Sequence, residues 1–151
     1  MGDMLNEVAE VAGTLGMQLQ LVEVHQPNDL DYAFSIMARE RAEALFQFPS
    51  GMLFSERRRI VELATMHRLP SMFNAREFVQ LGGLIAYGVN LTELLRRSVR
   101  YVDKILKGAK PSELPVEQPT KFELFINLKT AKTLGVEIPA TVLARADEVI
   151  E

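Results

Sequence analysis

Leu69-Pro70-Ser71-Met72-Phe73-Asn74-Ala75-Arg76-Glu77-Phe78-Val79-Gln80-Leu81-Gly82-Gly83-Leu84-Ile85-Ala86-Tyr87-Gly88 carries the pattern on which the fold turns. Leu69 to Phe73 is a short apolar run that predicts a strand, Ala75 to Gln80 predicts a helical turn, and Leu84 to Tyr87 predicts another strand, ended by Gly88. Strand, helix and strand in close succession point to a parallel pair, because parallel strands need a crossover and the crossover is usually helical.

The same order extends towards the amino end. Ser55 and Glu56 open a helix whose Ile60, Leu63 and Ala64 face inward while Arg57, Arg58 and Arg59 face largely out, and Pro70 ends it. Ala42 to Phe48 predicts a buried strand running into the turn Pro49-Ser50-Gly51. Asn28-Asp29-Leu30-Asp31 offers a cap and early carboxylates to a helix bearing Leu30, Ala33, Phe34 and Met37. Met17 to Val24 alternates apolar and polar, the period of a strand, and residues 4 to 15 have helical spacing with Gly16 placed as a left-handed stop. This first helix has no strand before it, so the unit is expected to begin part-way through a strand-helix pair.

Towards the carboxyl end, Asn90 and Glu93 have the spacing of a capping box, and Leu91, Leu94, Leu95, Val102, Ile105 and Leu106 form a broad apolar stripe closed by Gly108. Pro111, Pro115 and Pro119 make residues 109 to 120 an extended linker. Phe122 to Ile126 predicts a strand, Leu128 to Leu134 a helix stopped by Gly135, and Pro139 to Ile150 a last helix with proline in its first turn. The expected class is α/β, a parallel sheet with helices on both faces.

Composition narrows the function. With 48% apolar and 25% charged residues in 151, the chain can bury one real core. A net charge of -3 has the wrong sign for capturing nucleic acid. There is no cysteine, which excludes disulfides, thiolate nucleophiles and cysteine metal sites. No run approaches the ~18 apolar residues of a membrane span, and Met1 to Glu7 lacks the basic and apolar regions of a secretory signal. Neither Gly-x-Gly-x-x-Gly nor a phosphate-loop lysine is present, so no cofactor is expected. His25 and His67 lack ligand spacing with other donors, so no metal is expected either. His67, at a helix end, suits the dipole there, and the Arg57 to Arg59 run reads as a solvated face before it reads as a phosphate site.

Several longer runs carry a resemblance. Arg58-Arg59-Ile60-Val61-Glu62-Leu63-Ala64, Tyr101-Val102-Asp103-Lys104-Ile105-Leu106-Lys107-Gly108-Ala109-Lys110-Pro111, Leu114-Pro115-Val116-Glu117-Gln118-Pro119-Thr120-Lys121-Phe122-Glu123-Leu124, Ile126 to Lys132 and Leu143 to Glu148 resemble the substrate-binding proteins of tryptophan/tyrosine-type ABC transporters. Members of that family are about twice as long, and the likeness is to their C-terminal half. It implies a type I periplasmic-binding fold, two α/β lobes with a ligand held between them. Residues 1–84 would form most of the second lobe, 85–112 would be a crossover strand and helix belonging to the first, and 113–151 would return to the second. An ABC permease as partner, and a periplasmic or lipoprotein-anchored location, follow from the same resemblance.

Ligands of open α/β sheets bind beyond the carboxyl ends of strands, where loops diverge and helix N-termini present free amides. Pro49-Ser50-Gly51, Asn74-Ala75-Arg76-Glu77 and Tyr87-Gly88 occupy such positions. Ser50 is a candidate donor to a ligand carboxylate, or an ordinary turn residue. Asn74 can hydrogen-bond and Arg76 charge-pair with a carboxylate, or act as a cap and a solvated side chain. Tyr87 offers a ring face to an aromatic ligand or to its neighbours in the sheet, and Gly88 permits close approach.

The leading expectation is binding and delivery of a small amino-acid-like solute without covalent chemistry. The competing reading is a ligand-sensing or protein-interaction module of the same fold. An enzyme would need a nucleophile with its base, or paired carboxylates at one strand edge, and no such constellation is evident. The stripe on residues 91 to 107 would expose apolar surface in a lone chain, which predicts a homo-oligomer.

Overall fold

The computed structural model describes residues 2–151, which divide into two compact units, one ending at Ala42 and one spanning Glu43–Glu151. In the first, helix α1 (Gly2–Thr14) stops as expected: Gly16 takes φ +69° and the Met17 amide donates back to the Ala12 carbonyl at 2.8 Å. The strand expected at Met17 to Val24 does not form. Its alternation is real, but a strand exists only through its ladder, and among the described residues no segment pairs with it; Met17, Leu19 and Leu21 are all exposed.

Asp29 then turns the chain. Its carboxylate accepts the amides of His25 and Gln26, each at 3.1 Å, and the Gln26 side chain at 3.1 Å. The Gln26 side-chain bond above all holds this carboxyl below its ordinary range. From this turn rises α2 (Leu30–Arg39), whose Leu30, Ala33, Phe34 and Met37 recur at i, i+3, i+4 and i+7 and are all buried.

The second unit is built on a five-stranded sheet in the order β1 (Leu45–Phe46), β2 (Ser71–Phe73), β3 (Ile85–Val89), β4 (Phe122–Asn127) and β5 (Glu148–Ile150). The predicted α/β class is correct, and the sheet is mostly parallel. β1, β2 and β3 run together, β5 runs with β4, and β4 alone opposes its neighbour β3. An antiparallel pair needs no crossover, so the excursion between β3 and β4 is free to leave the sheet and return beside its exit.

The helix expected to open at Ser55 and Glu56 is α4 (Arg57–Met66), and an unexpected short helix, α3 (Gly51–Ser55), precedes it, the two jointed at Glu56. Arg57 bonds the Phe54 carbonyl at 3.0 Å and lies over its ring at 4.8 Å. α5 (Arg76–Gln80) is the predicted crossover between β2 and β3. The core gathers around it. Phe73 and Phe78 stack with centroids 4.5 Å apart, Phe54 meets Phe78 edge-on at 6.2 Å, and Ile60, Val61, Leu63 and Ala64 of α4 are buried. Gly83 lies so close to the Phe73 ring that a side chain there would collide with it.

α6 (Leu91–Leu106) starts at Asn90 as predicted and ends at Gly108, φ +101°. None of its residues is buried, and Leu91, Leu95, Val99, Val102 and Leu106 are more than half exposed. The linker that follows has one 3-10 turn, Pro111–Glu113, and its Pro115 carbonyl accepts the Tyr101 hydroxyl at 2.7 Å. α7 (Leu128–Leu134) stops at Gly135.

The last expected helix is wrong beyond its first turn. α8 (Ala140–Leu143) is short, and residues 148–150 join the sheet as β5. Asp147 decides this: its carboxylate accepts the Leu124 amide at 2.8 Å and its own amide donates to the Leu124 carbonyl at 2.9 Å, which sets the chain in register beside β4. Among the described residues no helix is long and apolar enough to cross a membrane.

Candidate functional site

Since β1, β2 and β3 are parallel, their carboxyl ends lie on one edge of the sheet, and β4, running the other way, begins at that same edge. Asn74 follows β2 directly, Asn90 follows β3 directly, Ser50 lies a few residues beyond β1, and Gly88 pairs with Glu123 across β3 and β4. The starts of α3, α5 and α6 therefore converge there.

A cavity of about 20 Å³, room for one water-sized group, opens at this edge between Asn74, Arg76, Gly88, Asn90, Thr92 and Glu123. Three sequence-predicted residues meet in it: Asn74, Arg76 and Gly88. The Asn74 Oδ1 atom is buried and has no hydrogen-bond partner among the described residues, an acceptor that a ligand donor or water would satisfy. Arg76, the first residue of α5, is exposed, and its charge helps to hold Glu123 ionised. The close approach that glycine permits at Gly88 is to the main-chain carbonyl of Asn74, which a β-carbon would overlap.

The other two stand apart from the cavity. Ser50 caps α3, its hydroxyl accepting the Leu53 amide at 3.5 Å. Tyr87 is half exposed on β3 and stacks on Phe122, centroids 5.7 Å apart.

Glu123 and Asn90 complete the site, and sequence reasoning missed both as lining residues. Glu123 is 7% exposed. Its oxygens accept Lys121 Nζ at 2.8 Å and Asn90 Nδ2 at 3.1 and 3.0 Å. Lys121, then Asn90, hold its carboxyl below the ordinary glutamate range against the opposing effect of burial, and Glu123 in turn raises the Lys121 ammonium. The other end of the Asn90 amide, Oδ1, accepts the Glu93 amide at 2.9 Å and caps α6. A signal for Glu123 existed. On β4 it shares a face with Phe125 and Asn127, both buried, so a charge stands in a core-facing register.

A larger groove of about 380 Å³ lies between α6 and the linker, walled by Leu94, Tyr101, Ile105, Leu114 and Val116. It is mostly apolar and belongs to neither the strand ends nor the cavity. Among the described residues no group of three or more His, Cys, Asp or Glu is gathered as a metal would require.

Comparison with known proteins agrees with this architecture. The structure is similar to the ABC domain in complex with L-Trp from Streptococcus pneumonia, at 25% identity and a TM-score of 0.89, over 99% of this chain and 51% of that one. A conserved domain protein from Vibrio cholerae O1 biovar eltor matches at 25% identity and 0.87, over 98% of this chain and 50% of that one. The ligand-free, open structure of a substrate-binding protein with adhesive properties from Clostridium difficile shares the fold at 20% identity and 0.62, over 97% and 48%. The chain thus spans about half the length of these structures. A search of curated proteins gives no significant match. The model of the ABC transporter substrate-binding protein family matches residues 3–150, nearly the whole sequence, and with the strand-edge geometry above it fixes the kinship: the chain belongs to the ABC transporter substrate-binding protein family.

Proposed function

We propose that the chain contributes one wall of a solute-binding cleft in an ABC importer, and that the solute is a small amino-acid-like molecule, with aromatic ones included. The observation that carries this reading is the meeting of Asn74, Arg76, Gly88, Asn90 and Glu123 at the edge where three parallel strands end. Family membership supports the binding role, and the L-Trp complex of a relative supports the ligand class.

The cavity admits only a water-sized group, so an amino acid would lie across its mouth with one polar end entering. Arg76 would pair with the ligand carboxylate in bidentate fashion, and Asn74 Oδ1 would accept from its ammonium. Tyr87, with Phe122 behind it, would offer a ring face, and Ser50 a hydroxyl at the rim. The rest of the cleft would come from a facing lobe. In that arrangement residues 1–84 and 113–151 form the second lobe and 85–112 the crossover to the first, and the closed pair of lobes engages the permease outside the cytoplasmic membrane, in the periplasm or on a lipid anchor.

Chains lacking a facing lobe would associate with one another through α6. Leu91, Leu95, Val99, Val102 and Leu106 are each more than half exposed on this one helix, more apolar surface than single scattered residues account for.

Isothermal titration with the twenty amino acids tests the reading. Saturable binding of at least one, weakened about tenfold or more by Arg76→Ala, is the expected result, since a lost bidentate charge pair costs about 1.5 to 3 kcal/mol. Equal affinity in parent and variant, or no binding by any amino acid, would overturn it.

A further inference from the structure

Residues 90 to 121 leave the sheet after β3 and rejoin it at β4, and Val89 stands opposite Phe122, so exit and entry are neighbours. With no residue of α6 buried, the orientation of this arm depends on what happens at its base. There one side chain bridges two elements. Asn90 caps α6 with its Oδ1 and grips Glu123 of β4 with its Nδ2, while Glu123 also holds Lys121, the residue before β4.

Both Glu123 oxygens accept from the base of the arm, Oε1 from Lys121 and Asn90 and Oε2 from Asn90, so the carboxylate is tied to this junction although it lines the cavity. The geometry points to Glu123 as a positioning residue: through Asn90 it fixes the angle at which α6 leaves the sheet, and with it the width of the cavity mouth between Asn74 and Thr92. The bearing on solute binding rests on the function proposed above; the mechanical role does not. Removing the carboxylate frees the Asn90 amide from β4 but leaves its cap on α6 intact, so the helix keeps its first turn and loses its direction. Removing Asn90 loses both.

The chain has no cysteine, so Ser98→Cys on α6 and Lys129→Cys on α7, both exposed, accept one pair of nitroxide labels. Pulsed electron spin resonance on the ligand-free chain then reads the arm. Glu123→Ala is expected to broaden the distance distribution about twofold with unchanged amide exchange in the first turn of α6, whereas Asn90→Ala broadens it and speeds that exchange about tenfold, the effect of losing a helix cap. Glu123→Gln, which still accepts from Asn90, is expected near the parent. A Glu123→Ala distribution as narrow as the parent's overturns the proposal. So does loss of solute affinity with distances unchanged, which would make Glu123 a ligand contact. If circular dichroism shows Glu123→Ala unfolded, Asn90→Asp, which keeps an acceptor for the Glu93 amide and has no donor for Glu123, decides: a parent-like width refutes the proposal and a broadened one with unchanged exchange in the first turn of α6 supports it. Absence of amino-acid binding by the parent chain would refute the proposed function and leave these distances to judge the arm separately.

Discussion

Gly88 and the main-chain carbonyl of Asn74 touch with no space between them for a β-carbon, so at this point β3 meets the turn after β2 backbone to backbone. Both residues line the cavity, so this contact shapes its mouth. Gly88→Ala should therefore lower stability by roughly 1 to 3 kcal/mol, the usual cost of overpacking a closed site. A urea midpoint equal to that of the parent, with an unchanged slope, would show that the contact yields without cost.

The Lys121–Glu123 pair has a definite pH signature. Glu123 is held below its unfolded value, so its contribution is complete above that value and is lost as pH falls through the folded one. Lys121 is held above its unfolded value, so its contribution is complete below that value and is lost as pH rises through the folded one. Glu123→Gln should flatten the acid limb of a stability-against-pH curve while Arg76, Asp147 and Glu93, the other charges near the pair, stay in place. An acid limb of unchanged slope in the variant would contradict this.

Asp147 should govern whether the final residues join the sheet. Asp147→Ala removes the partner of the Leu124 amide, a solvent-accessible bond whose loss costs about 0.5 to 1.5 kcal/mol. Amide exchange in residues 148–150 should quicken more than in β2 and β3. Uniform acceleration across all strands would mean that the side chain acts on global stability alone.

Apolar exposure on α6 should make the chain self-associate. Leu95→Glu with Leu106→Glu places charge in the stripe at two residues that are 62% and 81% exposed, so folding should survive. Sedimentation velocity should show a concentration-dependent species for the parent and a smaller one for the double variant. Identical monomers across the concentration range would defeat the prediction.

Elements with local signals were legible in the sequence. The cap at Asn90, the stops at Gly16, Gly108 and Gly135, and the strand-helix-strand unit around Phe73, Phe78 and Ala86 follow from patterns within a few residues. What failed depended on partners distant in sequence. Met17 to Val24 has the alternation of a strand but no ladder among the described residues, and Glu148 to Ile150 lacks the alternation of an evident strand but has a ladder, supplied by Phe125 to Asn127. Asn74, Arg76 and Gly88, chosen in the sequence for their place after strands, line one cavity because parallel strands bring their ends to one edge. Glu123 sits at a strand beginning, and only an antiparallel neighbour brings a beginning to the edge where other strands end.

That reversed neighbour has one more effect. With Val89 facing Phe122, the whole stretch from 90 to 121 is the loop of a hairpin, however elaborate. Such a loop can be lengthened, shortened or exchanged for another without rethreading the sheet, so the fold carries a socket into which different arms can be spliced while the five strands keep their order.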